Sequence, residues 1–168
     1  MSDENKNLIL IGMPASGKST VGVILAKVLG MDFADTDLLI QKQAGMRLEE
    51  IIDHRGLPGF LALEEAVCCG VTCRNTVIAT GGSVVYSDKA MRHFQTLGRV
   101  IYLDVSYEAL MNRLHDIRHR GVVMREGQTV ETLYAERVPL YRKYADATVD
   151  EGDGGIEDTV ARLTALLN

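Results

Sequence analysis

Short apolar runs alternate with amphipathic stretches along the whole chain. The apolar runs are as short and as β-prone as buried strands. They are Leu8–Ile11, Asp32–Asp35, Thr76–Thr80, Arg99–Asp104 and Ala147–Val149. Apolar residues recur at helical spacing in Lys18–Leu29, Leu38–Ala44, Leu48–His54, Phe60–Cys73, Asp88–Thr96, Tyr107–Asp116, Thr129–Tyr144 and Ile156–Leu167. This alternation predicts an α/β fold: a mostly parallel sheet of five strands with helices on both faces.

A glycine-rich loop joins the first predicted strand to the first predicted helix. Residues 12–19 read Gly-Met-Pro-Ala-Ser-Gly-Lys-Ser and fit the pattern G-x-x-x-x-G-K-[ST]. In such a loop the backbone N–H groups and the helix start surround a phosphate, the lysine contacts the β- and γ-phosphates, and the final hydroxyl holds Mg²⁺. The sequence therefore predicts a nucleotide site whose contacts are Gly12, Pro14, Ala15, Ser16, Gly17, Lys18, Ser19 and Thr20.

Two carboxylates close the second predicted strand, in the segment Asp35-Thr36-Asp37. Alternate residues of a strand point to the same face, so both carboxylates project beyond the strand end. One can contribute to the Mg²⁺ shell while the other accepts the proton of an attacking hydroxyl. The alternative is a polar strand end in which Asp37 caps the next helix.

Glycines follow the third predicted strand, in the segment Thr80-Gly81-Gly82-Ser83. Paired glycines at the carboxyl end of a strand let a ligand approach the backbone closely, although an ordinary turn would have the same sequence.

Arginines concentrate in residues 113–127, which carry four of them in an otherwise acidic chain. We expect a lid that closes over the polyphosphate and excludes water; the alternative is a solvated basic loop. Arg137 is a further candidate for binding an anionic substrate.

Composition narrows the class of protein. The chain has 168 residues, which suits one domain, and a net charge of −5, which argues against broad nucleic-acid binding. Its amino terminus is polar, and no apolar run approaches the ~20 residues of a membrane span. We therefore expect a cytoplasmic monomer without nucleic-acid or membrane partners. Three clustered cysteines are expected to be reduced and to behave as small apolar residues.

Taken together, the order of these motifs resembles the shikimate kinase family, a branch of the nucleoside-monophosphate-kinase-like folds. The resemblance covers nearly the whole chain, and it rests on the phosphate loop, Asp35-x-Asp37, Gly45, Gly56-x-x-x-Phe60, Glu64, Gly81-Gly82, Arg120, and Arg137 with Pro139-Leu140-Tyr141. It implies a single P-loop kinase domain with five parallel strands and a mobile lid at about residues 113–128. It also implies transfer of the ATP γ-phosphate to a hydroxyl of a small cyclic carboxylic acid, giving shikimate 3-phosphate from shikimate.

The resemblance carries over roles on the phosphate side of the site. Lys18 and Arg120 would hold the γ-phosphate, Ser19 and Asp35 would serve Mg²⁺, and Arg113 could lie against the adenine. ATP and Mg²⁺ are therefore the expected cofactors.

It carries over roles on the acceptor side as well. Asp37 would bind the substrate hydroxyl and help to deprotonate it, while Gly81 and Gly82 would line the pocket. Arg137 would pair with the substrate carboxylate.

The chain departs from the family pattern where it should bind the acceptor. The usual Gly-Glu-x-x-Phe-Arg is replaced by residues 56–61, so Leu57 stands for the acidic residue and Leu61 for a substrate-binding arginine. The third glycine of a Gly-Gly-Gly run is Ser83, and the Arg-Pro of the lid is Arg120-Gly121. Losing one charge-assisted hydrogen bond would weaken carboxylate binding by roughly ten- to a hundredfold. Shikimate and a less anionic hydroxylated metabolite therefore both remain open as the acceptor.

Two alternative hypotheses about the function, outside the small-molecule kinases, also remain. A nucleotide-dependent switch or motor ATPase would use the apolar strand Val100–Asp104 to hold Mg²⁺, although no Asn-Lys-x-Asp guanine motif occurs. A protein that binds ATP but has lost catalysis is the other reading, and the intact Lys18, Ser19, Asp35 and Asp37 count against it.

Overall fold

The computed structural model describes residues 6–114, 122–152 and 154–168. In that part of the chain, one sheet of five parallel strands has the order β2-β3-β1-β4-β5. The strands are β1 (Asn7–Ile11), β2 (Asp32–Asp35), β3 (Thr76–Ala79), β4 (Gly98–Asp104) and β5 (Ala147–Asp150). The predicted α/β fold and its parallel five-stranded sheet are confirmed, and each strand end lies within one residue of its expected position.

Helices connect consecutive strands and cover both faces of the sheet. They are α1 (Lys18–Leu29), α2 (Thr36–Ala44), α3 (Leu48–Cys69), α4 (Asp88–Leu97), α5 (Tyr107–Arg113), α6 (Val130–Tyr144) and α7 (Gly155–Leu167), with a short 3₁₀ helix at Val84–Tyr86. Among the described helices, none has the length and apolarity needed to cross a bilayer.

Three of the expected helix boundaries are wrong by two residues or more: the start of α2, which is Thr36 and not Leu38, and the ends of α3 and α5. Leu48–His54 and Phe60–Cys73 are parts of α3, which is interrupted at Gly56, where φ is 69° and ψ is 174°. That backbone conformation, in the left-handed range of φ, kinks the helix at Gly56, and α3 ends at Cys69. Helix α5 ends at Arg113 and Leu114 caps it, so it is shorter than expected; residues 115 and 116 lie outside the described part.

The core lies on both faces of β1, whose five residues are all buried. Ile9 and Ile11 belong to a cluster built with residues of α3, α4 and α6, while Leu8 and Leu10 belong to a second cluster built with α1 and α7. Alternate residues of a strand point to opposite faces, so a strand covered on both sides must be apolar throughout. This explains why the run Leu8–Ile11 is continuous and not alternating.

The strand order determines which loops meet. Because β3 pairs with both β1 and β2, the segments that follow these three strands leave the same edge of the sheet side by side. Those segments are the glycine-rich loop after Ile11, the carboxylates at Asp35 and Asp37, and the glycine pair after Thr80. The carboxyl edge of a parallel sheet is where α/β proteins bind ligands.

Candidate active site

The loop between β1 and α1 folds around the ammonium group of Lys18. Lys18 Nζ donates to the carbonyl oxygens of Gly12 and Met13, both at 2.8 Å, and the side chain is buried. A Cβ atom at Gly12 would lie 2.8 Å from the carbonyl oxygen of Leu103, so only glycine lets the loop pass this close to β4. The loop thus forms a cradle of main-chain groups at the start of α1, which fits a phosphate.

Ser19 and Asp35 present oxygen atoms side by side below this loop. The Ser19 hydroxyl donates to Asp35 Oδ2 at 2.6 Å, and Asp35 Oδ1 accepts from the Asp37 backbone N–H at 2.9 Å. A hydroxyl and a carboxylate are the hard ligands that Mg²⁺ prefers, so the pair fits this ion. Asp35, and not Asp37, caps helix α2, which leaves the Asp37 carboxylate free of that structural role.

The pKa values of Asp37 and Lys18 are both shifted by burial, and each group opposes the shift of the other. Burial, and then the neighbouring Asp35, raise the pKa of Asp37 from 3.8 to about 6, although Lys18 opposes the shift. Burial lowers the pKa of Lys18 from 10.5 to about 8, while Asp37 opposes it. Near neutral pH the pair therefore holds an anionic carboxylate beside a cationic amine. A carboxylate with a pKa near 6 suits a general base.

A cavity of about 250 Å³ lies between the phosphate loop and the segment after β3. Its walls bring together residues that are far apart in the sequence: Pro14, Ala15, Gly17, Lys18, Ser19, Thr20, Asp37, Leu48, Phe60, Thr80, Gly81, Gly82, Ser83, Val122, Val123 and Arg137. Most of the residues expected in the site are on this wall. Gly12, Ser16 and Asp35 lie directly behind it, in contact with Lys18 or Ser19.

Gly81 and Gly82 leave no room for a side chain on the cavity wall. A Cβ atom at Gly81 would lie 2.7 Å from Asp37 Oδ1 and 2.9 Å from Glu64 Oε2. A Cβ atom at Gly82 would lie 2.8 Å from Pro14 Cδ and 2.9 Å from Arg137 Nη1. The carboxylates of Asp37 and Glu64 thus lie against Gly81, and the Arg137 guanidinium lies against Gly82.

Arg137 is buried, and its guanidinium group forms part of the cavity wall. Nε donates to the Tyr86 hydroxyl at 3.1 Å, and Nη2 donates to the carbonyl oxygen of Val123 at 2.6 Å. Nη1 lies against Gly82. A buried guanidinium with one nitrogen facing a cavity is suited to binding a carboxylate.

Glu64 is a buried carboxylate behind the cavity wall. It is part of the motif pattern in the sequence, but no role was predicted for it. Its Oε1 accepts from the Ser83 hydroxyl at 2.7 Å, whereas Oε2 has no hydrogen-bond partner among the described residues. Burial raises the pKa of Glu64 from 4.5 to about 7, because one hydrogen bond from Ser83 does not offset the loss of water. The hydroxyl that replaces the third glycine is thus directed at Glu64.

Two other expected site residues, Leu61 and Arg113, are not on the cavity wall, and a third belongs to the undescribed part of the chain. Leu61 is not on the cavity wall: it packs, half-buried, against the apolar cluster that contains Ile40 and Phe60. Arg113 donates to the carbonyl oxygen of Ala15 at 3.3 Å, which places it at the phosphate loop. Arg120 lies outside the described residues.

Arg113 is held in place by an ion pair, since its Nη2 lies 2.6 Å from the buried Glu151 Oε1. Glu151 follows β5 and was not among the expected site residues. The sequence offered no signal for it, because residues 113 and 151 come together only through the pairing of β4 with β5.

Similarity to known proteins agrees with this arrangement. The profile of the family described as "Shikimate kinase" matches residues 14–168. A shikimate kinase of Thiobacillus denitrificans is 38% identical over 164 residues, covering 96% of this chain and 87% of the relative. One from Methylococcus capsulatus is 35% identical over 161 residues, covering 94% of this chain and 90% of the relative.

Solved structures show the same likeness. A shikimate kinase from Acinetobacter baumannii in complex with shikimate has a TM-score of 0.87 and 29% identity, covering 96% of this chain and 92% of that one. A shikimate kinase from Aquifex aeolicus has a TM-score of 0.80 and 30% identity, covering 96% of this chain and 95% of that one. The likeness therefore extends over nearly the whole chain.

Proposed function

The chain belongs to the shikimate kinase family of ATP-dependent kinases, and we propose that it transfers the γ-phosphate of ATP to shikimate, giving shikimate 3-phosphate. The observation that carries this proposal is the composition of one cavity of about 250 Å³. Its wall combines a phosphate loop with its lysine, a carboxylate suited to act as a base, and a buried arginine. These are the three groups that phosphoryl transfer to a hydroxyl of an anionic acceptor requires.

On the acceptor side, the Arg137 guanidinium binds the substrate carboxylate through its cavity-facing nitrogen. Gly81 and Gly82 let the ring approach the backbone, so that a hydroxyl reaches Asp37. Asp37 then accepts the proton of that hydroxyl as the oxygen attacks, which its raised pKa favours. Phe60 and Leu48 supply apolar wall against the ring.

On the donor side, the N–H groups of the loop and the Lys18 ammonium neutralise charge on the transferring phosphoryl group. Ser19 and Asp35 would hold Mg²⁺, which would supply positive charge against that of the phosphate oxygens. We propose that Arg113 lies beside the adenine and that Arg120 contributes a second cation to the γ-phosphate.

The same proposal covers the organisation of the protein. We propose one kinase domain over residues 1–168, with a lid at about 113–128 and a monomer as the working unit. Because the reaction consumes ATP, the cytoplasm is the compartment that it implies. The acceptor is a small molecule, and the net charge of −5 argues against nucleic acid as a partner.

The position of Leu61 bears on which acceptor is used. Leu61 lies off the cavity wall while Arg137 remains on it, which supports an anionic acceptor held by one arginine. A less anionic metabolite remains the second candidate, favoured by the loss of the other arginine.

The test is ADP release measured with Mg²⁺–ATP and shikimate beside a panel of polyols and hydroxy acids, with the product identified by mass spectrometry. We expect saturable turnover of shikimate at micromolar to millimolar concentration and formation of shikimate 3-phosphate. Turnover of another panel member with no turnover of shikimate would overturn the proposed acceptor. ATP hydrolysis that no acceptor stimulates would overturn the proposed function.

A further inference from the structure

Tyr86 connects Arg137 to a carboxylate on the side away from the cavity. The Tyr86 hydroxyl accepts a hydrogen bond from Arg137 Nε at 3.1 Å and donates one to Glu136 Oε1 at 2.7 Å. The ring also lies under the guanidinium group, whose central carbon is 5.1 Å from the ring centroid. Burial and the Glu136 carboxylate raise the pKa of Tyr86, so the phenol keeps its proton and can donate.

This hydrogen-bond chain fixes the plane of the guanidinium group. Nε is occupied by the Tyr86 hydroxyl and Nη2 by the Val123 carbonyl oxygen, so the planar group cannot turn without losing one of them. The remaining nitrogen, Nη1, is thereby held against Gly82, on the cavity side. Tyr86 thus acts on the orientation of Arg137 without being on the cavity wall itself.

Glu136 also connects this chain to the segment that precedes α6. Its Oε1 lies 3.1 Å from Arg125 Nη2, and its Oε2 accepts from Gln128 Nε2 at 3.3 Å. The Glu136 carboxylate therefore contacts Arg125, Gln128 and the Tyr86 hydroxyl together. The Tyr86 hydroxyl is consequently held from both sides, and it has little freedom to leave Arg137.

The replacement at Leu61 makes the orientation of Arg137 more important. Among the described residues of the cavity wall, the cations are Lys18 and Arg137, and Lys18 is bound to the phosphate loop. Arg137 is then left to bind the carboxylate of the acceptor. When a second arginine is lacking, any loss of alignment in the remaining one acts directly on affinity.

We propose that Tyr86 is a positioning residue for carboxylate recognition: its hydroxyl and ring align Arg137, so that Nη1 meets the carboxylate of the acceptor. The proposal rests on the function proposed above. It is specific to one functional group of the substrate, since Tyr86 touches neither the phosphate loop nor Asp37 in the described contacts. The phosphate-transfer step and ATP affinity should therefore not depend on it.

The test compares Tyr86→Phe with wild type, using shikimate and its uncharged carboxamide as ligands. Tyr86→Phe keeps the ring but leaves Arg137 Nε without an acceptor, so we expect KM and Kd for shikimate to rise about 5- to 30-fold. We expect kcat and the KM for ATP to change less than about twofold. Calorimetry with the carboxamide should show a much smaller loss, because that ligand does not need the aligned charge.

Tyr144→Phe is the matched control. Tyr144 lies on α6 with Arg137, and its hydroxyl likewise donates to a carboxylate, Asp88 Oδ1 at 2.8 Å, away from the cavity. We expect Tyr144→Phe to lower the stability of the protein as much as Tyr86→Phe does, and to leave the KM for shikimate unchanged. An equal rise of KM in both variants, an equal loss for shikimate and the carboxamide, or a fall in kcat alone would each overturn the role of Tyr86.

Glu136→Gln provides a second variant should Tyr86→Phe fold poorly. Glutamine keeps an oxygen for the Tyr86 hydroxyl but removes the charge, so we expect a rise of about two- to fivefold in KM for shikimate. An unchanged KM would contradict the proposal that Glu136 acts on Arg137 through the Tyr86 hydroxyl. Failure of the proposed function looks different, because wild type would then not turn over shikimate at all, and the role of Tyr86 would fall with it.

Discussion

The Ser83 hydroxyl donates a 2.7 Å hydrogen bond to Oε1 of the buried Glu64. The other oxygen of this carboxylate has no partner among the described residues and lies against Gly81, next to Asp37. Leu61, one turn earlier on α3, stands where the family pattern has an arginine. Of the two departures from the pattern, Ser83 thus bonds directly to Glu64, and Leu61 is its neighbour one turn away on α3.

Replacing Glu64 with glutamine should change how stability depends on pH. The folded protein holds the Glu64 proton up to about pH 7, whereas the unfolded chain releases it near the ordinary pKa of 4.5. Folding therefore takes up a proton between these values, and this contribution to wild-type stability is lost as pH rises through them. Relative to Glu64→Gln, we expect wild type to lose about 1–3 kcal/mol between pH 4.5 and pH 8, measured by urea unfolding.

Glu65→Gln is the control for this measurement, because Glu65 also lies on α3 and accepts a serine hydroxyl but is only partly buried. A difference between wild type and Glu64→Gln that stays constant from pH 4.5 to pH 8 would contradict the prediction. The prediction would also be wrong if Glu65→Gln changed the pH dependence of stability as much as Glu64→Gln does.

The rate should depend on pH through Asp37 and Lys18. As a base, Asp37 must be ionised, so kcat/KM should rise as pH passes about 6; as a cation, Lys18 must keep its proton, so kcat/KM should fall above about 8. Steady-state rates at saturating Mg²⁺–ATP should thus give a bell-shaped profile with these limbs.

Asp37→Asn tests the assignment of the acidic limb. It should lower kcat about 10²- to 10⁴-fold, since the hydroxyl loses its base, while ATP binding remains. A variant with near wild-type kcat and an unchanged acidic limb would exclude Asp37 as the base.

An alanine at Gly82 should interfere with acceptor binding. Its Cβ would lie 2.8 Å from Pro14 Cδ and 2.9 Å from Arg137 Nη1, so either the arginine or the loop must move. We expect the KM for shikimate to rise about 5- to 100-fold. Gly70→Ala is the matched control, because Gly70 is exposed and the nearest atom to a Cβ there is 3.4 Å away. Unchanged kinetics in Gly82→Ala would show that this wall is not used.

An arginine at position 61 should strengthen carboxylate binding. It would lie one turn from Glu64 on α3, against the apolar cluster whose members Phe60 and Val123 line the cavity, so its longer side chain can extend toward the acceptor. We expect Leu61→Arg to lower the KM for shikimate about tenfold, as one added charge-assisted hydrogen bond allows. Leu61→Met, which adds length without charge, should leave the KM near the wild-type value. If both variants behave alike, charge at this position does not matter.

Much of the fold could be predicted because its signals are local. Apolar runs fixed the strands to within one residue, and the glycine-rich loop between Ile11 and Lys18 was recognised by spacing alone. The break at Gly56 lies in the gap between the two predicted helices Leu48–His54 and Phe60–Cys73, but helical structure resumes directly after Gly56 and not at Phe60. The same local reading placed Asp37 as a possible helix cap, whereas the backbone N–H of Asp37 bonds to Asp35.

The sequence by itself determined the alternation of strands and helices, the phosphate loop and the acidic pair, because each depends on residues a few positions apart. Only the tertiary structure decided that Glu64 lies behind Gly81, that the Tyr86 hydroxyl bonds to Arg137, and that Leu61 is not on the cavity wall. These relations join residues up to 51 positions apart. They depend on the order of strands in the sheet and on which side of a helix faces it, and packing of the whole core selects both.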